Sequence, residues 1–261
     1  MGRCKVKLKQ INKESIKLKY MHELMQGMIY QIPSQETSRQ LHEKGIRSLI
    51  DERRLFKEIA FSTLRAPQYE ILNKGREIRF NDNVFFYLAS PNETILKELL
   101  EEIVFSPKIR IGNAFFIPLN NTNGDLLENS LVEIDKGIFK EGSTFLEGVT
   151  ITPIIISDSF IDSNNRQKVR HYSPNDIEFY KKITNNLKNK FSAYYKTTDL
   201  SNFCFNIKFH NHKLKGINYK RTLFIGTEGN FRIETNYETA KVINDFGLGV
   251  KNAQGFGQII F

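Results

Sequence analysis

The hydrophobic pattern of this chain changes period in a fixed order, and it runs through that order twice. CKVKLKQI alternates Cys4, Val6 and Leu8 with outward lysines, which is the pattern of a half-buried strand. Tyr20, Met21, Leu24, Met25, Met28, Ile29 and Ile32 then recur at three- and four-residue steps, the stripe of an amphipathic helix. Pro33 has no amide hydrogen and crowds the preceding turn, so that helix is expected to stop there. Ser34 is placed to cap a short second helix ending at Gly45, which suits a left-handed C-terminal position. EIAFSTL, REIRF and NVFFYLAS read as strands, the last two joined at Asn81 and Asp82. Asn92 caps a helix carrying Ile95, Leu96, Leu99, Leu100 and Ile103, and RIGNAFFIPL closes the round as one strand.

Composition turns polar at NNTNG, Asn120 to Gly124, the best position for a boundary. LVEI and TFLEGVTITPIIIS then supply strands, and the polar stretch DSNNRQKVRHYS leads to a helix start at Ser173-Pro174-Asn175-Asp176. Ile177, Tyr180, Ile183, Leu187, Phe191 and Tyr194 give that helix a buried face. FCFNIKF, YKRTLFIG and NFRIETN read as three strands, Tyr237 to Phe246 as a short helix, and GFGQIIF as a last strand. Strand, helix, two or more strands, helix, strand is the order of a ferredoxin-like unit. The expectation is an α+β chain of two tandem ferredoxin-like (RRM-like) domains, residues 1–122 and 123–261. No sequence repeat relates the halves, so this rests on pattern.

Hydrophobic residues make up 40% of the 261 and charged residues 26%, enough to build a core. No run approaches the roughly 18 apolar residues of a membrane helix, and the opening MGRCKVKLKQ lacks the apolar stretch of a signal peptide. Cys4 and Cys204 are too few and too distant for a disulfide framework, which fits a reducing cytoplasm. Lysine and arginine total 38 against 29 acidic residues, a net charge of +9 that favours polyanions, nucleic acid first among them.

Several chemistries are set aside by what the motifs lack. His210 and His212 alternate on an expected strand and so share a face, but no cysteine or carboxylate cluster joins them, and no metal site is expected. No glycine-rich loop precedes a Lys-Ser or Lys-Thr pair, and no serine sits between glycines as in a hydrolase elbow. The chain instead ends with FGLGVKNAQGFGQIIF, in which Gly247 and Gly249, then Gly255 and Gly257, bracket Leu248 and Phe256. Glycines permit positive φ and close backbone approach. Lys251, Asn252 and Gln254 between them offer a cation and two amides, and free backbone amides in such a loop can face phosphates. A plain connector needs fewer glycines than this.

GLGVKNAQGFG resembles the C-terminal glycine-rich signature of the CRISPR-associated repeat-RNA endoribonucleases, the Cas-six family. QGMIYQI resembles that family's first helix, LHEKG and FKEIAFS its histidine segment and following strand, and GSTFLEGVTITPIII the opening of its second domain. The resemblance implies a metal-independent endoribonuclease with no cofactor. Such an enzyme cuts CRISPR precursor RNA within repeats by attack of the RNA 2′-hydroxyl, leaving 5′-hydroxyl and 2′,3′-cyclic phosphate ends. It implies Tyr30, His42 and Lys57 as catalytic residues, with Lys44, Arg53 and Arg54 as rivals to Lys57; His22, one turn before Gln26, is a further candidate for the same neighbourhood, with a supporting or structural role expected. It also implies precursor and mature guide RNA as partners, together with other CRISPR-associated proteins or a second copy of the chain, and no membrane. The alternative is a non-catalytic RNA-binding subunit of a CRISPR ribonucleoprotein complex.

The residue types suit that chemistry. A base must take the 2′-hydroxyl proton, an acid must protonate the leaving 5′-oxygen, and a cation must face the charge building on phosphorus. Read alone, His42 near a helix C-terminus is a dipole complement and Tyr30 is packing. A straight helix would also hold them about 18 Å apart, so the break at Pro33 must bend the chain sharply. Gly247, Gly249, Lys251, Asn252, Gly255 and Gly257 are the expected RNA-binding loop. Arg166, Lys168 and Arg170 at alternate positions of a hairpin, and Lys220, Arg221 and Arg232 near the last strands, are expected to extend the track.

Overall fold

A computed structural model describes residues 2–81, 83–119, 132, 134–139 and 142–261. The boundary expected at 120–124, Leu131 and Glu133 of LVEI, and Asp82 lie outside the described residues. The chain divides into two compact units. The first holds Met1–Gly45, Lys57–Glu133 and Ala253–Gly255; the second holds Ile46–Phe56, Ile134–Asn252 and Phe256–Phe261. The segment Ile46–Phe56 thus clusters with the second unit although it lies early in the sequence.

The first unit runs β1 (Gly2–Gln10), α1 (Met21–Gln31), α2 (Gln35–Glu43), β2 (Ala60–Phe61), β3 (Asn83–Ser90), α3 (Glu93–Phe105), β4 (Ile109–Ile111) and β5 (Ala114–Pro118). The sheet order is β2-β3-β1-β5-β4, every neighbour antiparallel. β1 and β3 pair along their length, from Gly2 opposite Ser90 to Lys9 opposite Asn83. That register sends Cys4, Val6 and Leu8 into a core with Met25 and Ile29 of α1 and Leu99 and Ile103 of α3. Phe61, Phe86 and Phe116 are fully buried there, each worth roughly 2–3 kcal/mol of transfer free energy. Asn92 caps α3, its side chain accepting from the amides of Thr94 (3.1 Å) and Ile95 (3.4 Å).

The second unit runs β6 (Thr144–Thr150), β7 (Ser157–Ile161), β8 (Gln167–His171), α4 (Ile177–Tyr195), β9 (Phe205–Tyr219), β10 (Thr222–Thr235), α5 (Tyr237–Phe246) and β11 (Ile259–Ile260). Its main sheet has the order β9-β10-β6-β11, while β7 and β8 form a separate hairpin. With the strands that cross over on helices numbered in turn, both sheets carry the 2-3-1-4 order of a ferredoxin-like fold, so the architecture is the tandem one expected. Phe179, Ile183, Leu187 and Phe191 of α4 pack with Phe231 and Ile233 of β10 and with Val242, Ile243 and Phe246 of α5.

Four local expectations are corrected. RIGNAFFIPL is a hairpin, β4 and β5, turning at Gly112 with φ +63°, because two short strands read as one when the turn is brief. Gly45 does not close α2; Lys44 does, in an extended conformation. The α4 helix starts one turn later than SPND suggested, with Asp176 at its N-cap, and the Asp176 carboxylate accepts from the Ser173 amide (2.8 Å) and hydroxyl (3.1 Å). Ile177 is accordingly 76% exposed rather than part of the buried face. The three strands expected after α4 are two long ones, β9 and β10, joined by the two-residue turn Lys220-Arg221.

Candidate active site and nucleic-acid interface

Tyr30 stands in the last turn of α1 and His42 in the last turn of α2. The break between these helices is built by named bonds. Ser34 caps α2 by accepting from the Thr37 amide at 3.2 Å, and the Ser38 hydroxyl donates to the Tyr30 carbonyl at 2.7 Å, satisfying a carbonyl that the end of α1 leaves open. Glu98 of α3 anchors the corner from below, accepting from the hydroxyls of Ser34 (2.7 Å) and Thr37. Burial pushes the Glu98 carboxyl up, but these hydroxyls and the Ser34 amide outweigh it and hold it below its ordinary range. The bend brings the Tyr30 and His42 rings to 4.4 Å between centroids, tilted by 50°. Tyr30 is buried and His42 exposed, so the phenol backs the imidazole while the imidazole faces solvent.

Lys57 meets the same helix end. Its ammonium donates to the His42 carbonyl and, at 3.1 Å, to the Lys44 carbonyl. A cation on two otherwise open carbonyls is a favourable helix C-terminus, and it uses two of the three N–H groups. Tyr30, His42 and Lys57 are therefore brought together. Among the rivals to Lys57, Arg53 and Arg54 lie in the second unit and both pair with Asp51, at 3.0 and 3.6 Å.

His22, Gln26 and Tyr30 follow at four-residue steps along α1, hence on one face. The Gln26 side chain donates to the Ala253 carbonyl at 2.9 Å, and Nδ1 of buried His22 lies 3.1 Å from the Gln254 carbonyl. A carbonyl only accepts, so Nδ1 carries the hydrogen. Gly255 sits with φ +86°, and a β-carbon there would come within 2.9 Å of both His22 Nδ1 and the Phe61 ring. His22 and Gln26 thus hold residues 253–255. The sequence reading passed over Gln26, although its spacing from His22 and Tyr30 was available.

In the second unit the glycine loop is bonded to itself. Gly247, Gly249 and Gly257 all have φ near +70°, as does Lys251. A β-carbon on Gly257 would lie 1.9 Å from the Leu248 carbonyl oxygen, and one on Gly249 would lie 2.5 Å from that of Ile155. The Leu248 amide donates to Gly257 (2.9 Å), the Val250 amide to Ile155 (2.9 Å) and the Gly257 amide to Pro153 (2.9 Å). The glycines serve backbone-on-backbone packing, and these amides are spent inside the fold. Asn252 is also spent: its Nδ2 donates to the carbonyls of Leu248 and Phe256, both at 3.0 Å, and its Oδ1 accepts from Lys190 at 2.7 Å. Lys251 is the exposed cation of the loop, and Leu248 and Phe256 are fully buried anchors as expected. Lys190 has no counterpart in the sequence reading, because a lysine on an amphipathic helix reads as solvent-facing.

The remaining basic residues are exposed. Lys168 and Arg170 share a face of β8, where Lys168 pairs with Asp162 (3.4 Å) and the Arg170 guanidinium lies 5.1 Å from the Tyr172 ring centre. Arg166 lies in the turn before that strand. Lys220 and Arg221 form the tip of the β9–β10 hairpin, with φ +44° and +66°. Such a turn favours Asn-Gly, so two long cations there hold strained backbone of about 1 kcal/mol each. Arg232 stands ten residues along β10 from Thr222, about 33 Å at strand rise, so it does not share the tip. It packs on Phe145 and pairs with Glu147 at 3.7 Å. His210 pairs with Glu147 at 3.3 Å, and a β-bulge beside it breaks the alternation that put it on one face with His212. Among the described residues no group of three His, Cys, Asp or Glu is placed to hold a metal, and no helix is long and apolar enough to cross a membrane.

Residues 138–260 match the family model for the C-terminal region of CRISPR associated protein Cas6. CRISPR-associated endoribonuclease Cas6 1 of Methanocaldococcus jannaschii is 27% identical over 209 residues, covering 78% of this chain and 74% of the relative. Putative CRISPR-associated endoribonuclease-like protein Cas6nc of Pyrococcus horikoshii is 27% identical over 210 residues, covering 76% and 77%. A solved structure described as CRISPR associated protein Cas6 superposes with a TM-score of 0.75 at 20% identity, over 99% of this chain and 98% of its own. A Cas6-related protein from Pyrococcus furiosus gives 0.75 at 19% identity, over 99% and 97%. At these identities the structural likeness speaks for the fold.

Proposed function

We propose that the chain is a Cas6-family endoribonuclease that cuts CRISPR precursor RNA within each repeat, a reading supported by its likeness to the Cas6 C-terminal model and to relatives 27% identical. Processing of CRISPR repeat RNA rests on that likeness; the chemistry of the cut is the finer reading. What carries it is the approach of the His42 and Tyr30 rings to 4.4 Å, with Lys57 on the same helix end.

In this reading RNA supplies its own nucleophile. His42, exposed on the end of α2, takes the proton of the 2′-hydroxyl beside the scissile phosphate. The freed oxygen bonds to phosphorus, the bond from phosphorus to the 5′-oxygen breaks, and that oxygen leaves as a hydroxyl. Tyr30 orients the imidazole, gives its phenolic proton to the leaving 5′-oxygen and regains one from the His42 imidazolium, so the pair ends as it began. The third N–H of Lys57 faces the charge on the phosphorane. The products are a 2′,3′-cyclic phosphate and a 5′-hydroxyl, and the step needs no cofactor. Lys251, Arg166, Lys168, Arg170, Lys220, Arg221 and Arg232 hold the RNA backbone by charge.

The rival reading is a non-catalytic RNA-binding subunit, favoured by the likeness to a relative named endoribonuclease-like. A pure binder has no use for an exposed imidazole backed by a phenol. A repeat RNA with one 2′-deoxy nucleotide at the cut site separates the mechanism from others: it should bind normally and stay whole. Cleavage of that substrate at the same bond would eliminate the internal nucleophile.

A further inference from the structure

Lys190 lies on the inner face of α4 and is 1% exposed. Its ammonium makes three hydrogen bonds, to the carbonyls of Gly247 and Gly249, each at 2.8 Å, and to Asn252 Oδ1 at 2.7 Å. An ammonium has three donors, so the set is complete. None of the three partners carries a charge, and Lys190 joins no ion pair among the described residues. Burial alone pushes its pKa down to about 7, while three acceptors at this distance favour the protonated form.

An unpaired buried charge is costly and persists where it fixes something a neutral side chain would not. Here it fixes the loop. The carbonyls of Gly247 and Gly249 turn inward to the same point only because both glycines take positive φ, and Asn252, held by Lys190 on one side, ties Leu248 to Phe256 on the other. Lys251, itself at φ +67°, is thereby presented to solvent between two fixed ends.

We infer that Lys190 is a positioning residue for RNA binding: it touches no RNA, and its three-bond hub holds the glycine loop in the shape that offers Lys251 to a backbone phosphate. This rests on the RNA-binding reading of the loop given above.

The test is a double-mutant cycle in the full chain, with binding of a repeat RNA measured across a salt series. Lys251→Ala should weaken binding and lower the slope of log affinity against log salt by about one. Lys190→Met should weaken binding about tenfold or more and lower the slope by the same amount, because the loop no longer holds Lys251 in place. The two losses should not add, since both remove one contact. Global damage would instead add to the loss from Lys251→Ala. If Lys190→Met does not fold, Asn252→Ala removes one acceptor and should show the same non-additivity at smaller size. Additive losses, or normal affinity in a folded Lys190→Met, would overturn the inference. Normal affinity in Lys251→Ala would overturn the loop's RNA-binding role itself, a separate outcome.

Discussion

Gly257→Ala measures how much of the glycine loop is enforced by contact rather than by conformational freedom. Gly257 has φ +72°, where an alanine costs about 1–2 kcal/mol on its own. Its β-carbon would also stand 1.9 Å from the Leu248 carbonyl oxygen and 2.6 Å from Asn252 Nδ2, so the two strands of the loop must part. Parting them forfeits the bond from the Leu248 amide to Gly257 (2.9 Å) and that from Asn252 to Leu248 (3.0 Å), about 1 kcal/mol each. The expected loss is therefore about 3–4 kcal/mol. Gly142→Ala is the control, for Gly142 has φ +96° with nothing within 4 Å of a β-carbon, and only the conformational cost should appear. Urea unfolding followed by circular dichroism gives both values. A Gly257→Ala protein no less stable than Gly142→Ala would refute the packing argument.

Two further outcomes follow from buried and capping charges. Burial outweighs the Tyr194 and Asn244 hydrogen bonds and raises the Asp245 carboxyl above its ordinary value. Its contribution is then fully present below the unfolded pKa near 4 and is lost as pH rises through the folded value. Asp245→Asn should stabilise the protein at pH 7 and flatten stability against pH in that window; a destabilised variant at pH 7 would contradict this. Lys57→Met uncaps two carbonyls of α2 and removes the cation beside His42, so single-turnover cleavage should fall roughly 10- to 100-fold. An unchanged rate would move the role to another cation.

Much of the fold was legible because its elements announce themselves locally. Pro33 and Ser34 mark the break between α1 and α2, Asn92 caps α3, and the α3 stripe is buried whole, as are Met21, Met25, Met28 and Ile29 of the α1 stripe, while Tyr20 stands exposed before the helix. The outer half of the β9–β10 hairpin was misread because Leu214, Leu223 and Ile225 are exposed and polar residues occupy both faces, so no alternation marks it. Tyr30 and His42 could be paired only by resemblance, since twelve positions and a bend separate them. Lys190 was invisible for a physical reason: nothing in its neighbours signals that three carbonyl-type oxygens, all from residues more than fifty positions away, converge on its ammonium.

The central claim is that His42 transfers a proton in RNA cleavage and does not merely bind RNA. Single-turnover cleavage of a cognate repeat by His42→Ala, with affinity measured on the same RNA, tests it directly. The rate should fall by roughly 10²-fold or more, the scale of a lost general acid or base, while affinity stays within about twofold because cations dominate binding. Full-rate cleavage by His42→Ala would contradict the account and shift suspicion to His22.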